Sequence, residues 1–96
     1  MLFVVSAIDK ENSLALRLAT REAHFAYARE TGVIRLGGPF LSPKDEMAGS
    51  LIIFEAADLE AAKKWHAGDP YVKAGLFAQS DVRPWKMTFN GCDAKF

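Results

Sequence analysis

Few residues in this chain can carry proton chemistry, and two stretches hold the best placed of them. In RLATREAHFAYA the spacing of Arg17, Arg21, His24 and Ala28 runs four, three and four, which lays them along one stripe of a helix. Leu14, Leu18 and Phe25 form an adjacent apolar stripe. The basic seam therefore borders the predicted core, whereas a wholly solvated face would set its charges farther round the helix. That placement suits the rim of a cavity between helix and sheet, with an imidazole able to exchange a proton near neutral pH. Arg17 and Arg21 beside it are candidate holders of an anionic substrate. Arg21 also has Glu22, Glu30 and Asp69 as candidate ion-pair partners. His24 has a second reading as a boundary histidine, one ring nitrogen bonded to a backbone carbonyl.

The second stretch, HAGDPYVKAG at residues 66–75, sets Asp69 directly before Pro70. Asp69 is a good helix cap: its carboxylate can accept from amides of the next turn, and proline at the first helical position has the required φ and wastes no donor. Ser50, after Gly49, is either a polar pocket group or a strand-end hydroxyl bonded to backbone. Tyr71 and Trp85 read as packing residues, and His66 as a boundary histidine favoured by the dipole at a helix end. His24 and His66 fall on different predicted helices with no cysteine or paired carboxylates at ligand spacing, so no metal is expected. The GGP at 37–39 lacks the context of a phosphate loop, and no cofactor is called for. The single cysteine, Cys92, excludes an internal disulfide and reads as a spare thiol near the end of the chain.

The elements that must position these groups follow from pattern and punctuation. LFVVSAI, stopped by DKEN, predicts a strand over 2–8. Residues 13–31 predict a helix capped by Asn12 or Ser13, free of glycine and proline and ended by Gly32 in a left-handed C-cap. VIRLGGPF is a second strand ended by Gly37, Gly38 and Pro39, and SLIIFEAA at 50–57 a third. Asp58 caps a helix over LEAAKKWHA, DPYVKAG makes a short helical turn, and a last strand runs through FAQSDVRPWKMTF, with Pro84 marking an edge or a bulge.

This β-α-β-β-α-β order predicts a ferredoxin-like α+β sandwich, four antiparallel strands carrying two helices on one face, in a single domain over residues 1–96. LFVVSAI and LIIF are apolar on both sides, although a sheet with one wet face should alternate. No further helix is left to cover the second face, so the sheet is expected to pack on a second copy as a homodimer. Twelve basic residues balance twelve acidic ones, which gives no electrostatic reason to expect nucleic acid or an anionic membrane as partner. The apolar opening run meets Asp9, Lys10 and Glu11 too soon for a signal or membrane segment. With the lone cysteine, that reads as a cytoplasmic protein.

Several of these stretches carry a resemblance: MLFVV followed by Asp9, RLATREAHFAY, the GGP at 37–39, the GSL at 49–51, and above all DPYVKAGLF with RPWK at 83–86. Together they resemble the YCII-related, or YciI-like, family over nearly the whole chain. The resemblance implies a dimeric α+β-barrel fold and a pocket in which His24 and Asp69 face one another, the acid fixing the tautomer of the imidazole. It also implies, for a few members, dehydrochlorinase activity. The function expected is a lyase or isomerase using a His-Asp pair, with Arg17, Arg21 and Ser50 on a small anionic substrate. The alternative is a non-catalytic dimer that binds a small ligand or serves another enzyme.

Overall fold

Strand β1 (Leu2–Asp9) places Phe3, Val5 and Ala7 on one face, all fully buried, while the intervening residues face the other way. The computed structural model describes all 96 residues. Helix α1 (Leu14–Thr31) follows, then strands β2 (Ile34–Gly38) and β3 (Gly49–Glu55), helix α2 (Leu59–Ala67), the one-turn helix α3 (Pro70–Lys73) and strand β4 (Phe77–Trp85). The four strands form one sheet in the order β2-β3-β1-β4 with every pairing antiparallel. This is the ferredoxin-like arrangement expected, with two long helices on one face.

The local signals act where the sequence puts them. Gly32 ends α1 at φ 64°, the left-handed region open to glycine without steric cost. Asp58 Oδ1 accepts from the Ala61 amide at 2.8 Å, and Asp69 Oδ1 from the Tyr71 amide at 2.9 Å. Pro84 lies on the edge strand β4 opposite Phe3. Three expectations are corrected. The side chain of Ser13 does not cap α1 and instead donates to the Glu11 carbonyl at 3.3 Å. Strand β4 stops at Trp85, short of Phe89, and Phe96 packs back against Trp85. The third concerns α1 itself. Its apolar stripe is not part of the core, with Leu18 49% and Phe25 37% exposed.

The reason lies in how unevenly the helices cover the sheet. Phe3, Val5, Ala7, Ile52, Phe54 and Ala62 pack into a core under α2, with the Phe54 and Trp65 rings 4.3 Å apart. Helix α1 instead rests against α3 and stands off the sheet over β2 and β3, leaving a hollow beneath it. The one fully enclosed residue of α1 is a charged one, Arg17, 3% exposed. On the opposite face, register places Val4 beside Ile53 and Ser6 beside Leu51, with Leu36 beside Ile53. That half of the open face is apolar, while Asp81 and Arg83 on β4 make the other edge polar.

Candidate active site

The hollow under α1 has a volume of about 470 Å³, within the range of small-molecule sites. Arg17, Arg21, His24 and Ala28, the four residues of the helical stripe, all line it, as does Ser50 from β3. Ile34, Met47 and Ile52 supply apolar wall. His24 Nδ1 lies 2.9 Å from Asp69 Oδ1, and Asp69 is fully buried. A carboxylate can only accept, so Nδ1 carries a proton, and in the neutral imidazole the lone pair is on Nε2. The aspartate is also held by its cap on α3, where the same oxygen accepts from the Tyr71 amide. Tyr71 lies parallel to the imidazole, ring centres 4.2 Å apart at 19°, and holds the ring plane.

Arg17 is committed elsewhere. Nε and Nη2 grip Asp9 in a fork at 2.7 and 3.0 Å, and Nη2 also donates to the Gly49 carbonyl and to Ser50 Oγ, both at 2.8 Å. This ties β1, α1 and β3 together, and Nη1 is the donor group left for a ligand. Ser50 accepts from an arginine rather than from the backbone, so its own hydroxyl proton is available to the cavity. Arg21 pairs with none of the three carboxylates considered for it. Its guanidinium lies 5.2 Å from the centre of the Phe25 ring, at the cavity wall. Arg29, which the spacing argument did not reach, lines the same cavity.

Burial pushes the Tyr71 hydroxyl above its ordinary range, with Arg17 opposing and Asp69 reinforcing the shift. Burial, followed by Asp69, does the same to Tyr27. Both phenols therefore stay protonated at neutral pH. Tyr27 donates to the Trp65 carbonyl at 2.7 Å.

His66 is not at the molecular boundary but inside it, 7% exposed, with Nε2 3.1 Å from Ser80 Oγ. Desolvation pulls its pKa below 6.5, with Asp69 acting in the opposite sense. Below pH 6.5 the unfolded chain thus binds a proton at this histidine that the folded chain resists, so stability falls as pH drops through that window. His66→Gln is expected to flatten this loss, seen as a smaller fall in Tm between pH 7 and pH 5 than in the unaltered protein.

No three or more His, Cys, Asp or Glu side chains gather as a set of metal ligands, and no helix is long and apolar enough to cross a membrane. Residues 1–86 match the YCII-related domain. The chain belongs to the YCII-related family. Within that family, protein YciI of Escherichia coli O6:H1 is 39% identical over 93% of this chain and all of its own length. Among solved structures, 5-chloro-2-hydroxyhydroquinone dehydrochlorinase (TftG) of Burkholderia phenoliruptrix AC1100, in complex with 2,5-dihydroxybenzoquinone, superposes with a TM-score of 0.81. It is 36% identical over 90% of this chain and 94% of that one. An antibiotic biosynthesis monooxygenase, 18% identical with a TM-score of 0.54 over 85% of this chain and 93% of its own, shares the fold.

Proposed function

We propose that this YCII-related protein is a cofactor-independent acid/base catalyst acting on a small anionic ring compound by elimination or isomerisation. The observation that carries the reading is the 2.9 Å contact between His24 Nδ1 and the buried Asp69 at the wall of a cavity with arginines on its rim. Nε2 takes a proton from a hydroxyl or ring carbon of the substrate. In an elimination, the hydroxyl proton taken by Nε2 is returned to the chlorine-bearing ring carbon as the ring ketonises. Loss of a second hydroxyl proton to Nε2 then drives chloride out with its bonding pair, and the imidazolium gives that proton to solvent, so that HCl is lost, the quinone is formed and the site is restored. In an isomerisation the imidazolium returns the proton to another atom. Ser50 and Arg21 hold the developing enolate or phenolate oxygen, while Ile34 and Ile52 supply the apolar surface that a ring requires. The likeness to a dehydrochlorinase supports elimination over isomerisation.

The test is chloride release and quinone absorbance from chlorinated hydroxyhydroquinones, with the unaltered protein and with His24→Ala of unchanged circular dichroism. Turnover by the former and none by the latter supports the reading. Equal rates for both overturn it. Thermal stabilisation by 2,5-dihydroxybenzoquinone with no turnover of any ring substrate assigns the chain instead to small-ligand binding or an accessory role.

A homodimer formed through the open sheet face belongs to the same proposal. Val4, Leu36, Leu51 and Ile53 form a contiguous apolar band there, with Leu36 48% and Leu51 38% exposed in the single chain, and a second copy would remove that band from water. Leu51→Asp is expected to convert a dimer into a monomer by light scattering while leaving the helical spectrum intact. An unaltered chain that runs as a monomer at all concentrations refutes this part.

A further inference from the structure

Asp69 has two carboxylate oxygens, and the acid/base site uses one. Oδ1 takes the contacts from His24 and the Tyr71 amide, while Oδ2 is buried with no hydrogen-bond partner. The other buried side-chain atom in this condition is His66 Nδ1. The two residues are adjoining parts of one junction: His66 lies in the last turn of α2, and its carbonyl accepts from the Asp69 amide at 3.0 Å. A buried acceptor with no donor and a buried imidazole nitrogen with no partner are both costly, and each is the complement of the other, although the two are not hydrogen-bonded to each other in this structure. If Ser80 donates to His66 Nε2, the ring proton sits on Nδ1, and the partner it wants is a carboxylate oxygen.

Aromatic packing links the same two histidines. The His66 ring is stacked on Phe77 at 6.0 Å, Phe77 meets Tyr71 edge-on at 6.1 Å, and Tyr71 is stacked on His24. His24 lines the cavity and His66 does not, so a ligand touches one imidazole only.

We propose that His66 is a positioning residue for the His24–Asp69 pair, sharing the Asp69 carboxylate with His24 from outside the cavity. The inference rests on the acid/base reading of that pair and adds a third member to it. The groups gathered around the carboxylate are then His24, His66, Tyr27 and Tyr71, and Asp69 is the charged group that acts on His66. A carboxylate that serves two imidazoles pulls less on each. His66 thereby moderates the basicity of His24, so that the imidazolium formed in the reaction releases its proton again.

The experiment is an NMR pH titration of both histidines, needing no substrate, in the unaltered chain and in His66→Phe, His66→Gln and Asp69→Asn. In the unaltered chain the His66 signal inflects at the His24 midpoint as well as at its own, as coupled sites do. His66→Phe, which keeps the stack on Phe77, moves the His24 midpoint upward by about half a unit or more. His66→Gln, a neutral side chain that can still donate, returns it toward the unaltered value. Asp69→Asn moves both midpoints downward. A His24 midpoint identical in the unaltered chain and His66→Phe overturns the inference, as does a His66→Gln midpoint equal to that of His66→Phe. Asp69→Asn moving His24 alone also overturns it while leaving the acid/base pair standing, and moving neither removes the pair as well.

Discussion

Asp69→Asn will keep its fold and lose about 10³–10⁴-fold in kcat on any substrate the unaltered protein turns over, the scale found when the orienting acid of a catalytic histidine is amidated. Asparagine is as good an N-cap as aspartate and keeps an oxygen for the Tyr71 amide. The helical turn that carries residue 69 is therefore retained. What changes is the charge. Oδ1 meets both the Tyr71 amide and His24 Nδ1, so the oxygen that asparagine keeps there still accepts from Nδ1–H, but the neutral amide no longer stabilises the imidazolium formed when Nε2 takes a proton. Steady-state kinetics together with an NMR titration of His24 check this. A variant whose His24 midpoint is unmoved, or whose kcat is intact with the midpoint lowered, contradicts the assigned role of Asp69.

This pair was legible before the fold because each half is a local event. The four-three-four spacing of Arg17, Arg21, His24 and Ala28 holds for any helix, and the cap signal of an aspartate before a proline holds for any turn. Their meeting was not local, and it came from family resemblance rather than from spacing. The rest was hidden for a related reason. Arg17 read as a substrate ligand because nothing in its own helix announces that Asp9 lies across from it on β1. His66 read as a boundary residue because its burial is decided by β4, fourteen residues on, where Ser80 meets it. The apolar stripe of α1 read as core since helical periodicity says which residues share a face, and not whether the sheet comes up to meet that face.

Arg17→Met is expected to destabilise the fold by about 3–5 kcal/mol, the usual consequence of removing one partner from a buried ion pair. At 4–8 °C per kcal/mol for a domain of this size, Tm falls by well over ~10 °C. The side chains of Arg17 and Asp9 are 4% and 5% exposed, so Asp9 would be left as a charge out of reach of water. The Gly49 carbonyl and the Ser50 hydroxyl would lose a donor at the same moment. The double variant Asp9→Leu/Arg17→Met removes both charges and is expected to recover much of the loss, because an apolar pair avoids the stranded carboxylate. Urea unfolding of the two single variants and the double one measures this. A single variant within about 1 kcal/mol of the unaltered protein would mean that the fork contributes little to stability.

One position with no side chain lets two elements come together beside the His24–Asp69 contact. A Cβ built on Gly68 would stand 2.5 Å from the Tyr27 hydroxyl, closer than such atoms approach. Gly68 is the neighbour of Asp69, and Tyr27 sits one turn beyond His24 on α1. The α2–α3 junction and α1 therefore touch through a bare α-carbon at the point next to the imidazole–carboxylate bond. Even a methyl group there would press on the Tyr27 hydroxyl and on the bond it donates to the Trp65 carbonyl, so the close seating of the two elements that His24 and Asp69 bridge depends on a residue that takes no part in their contact.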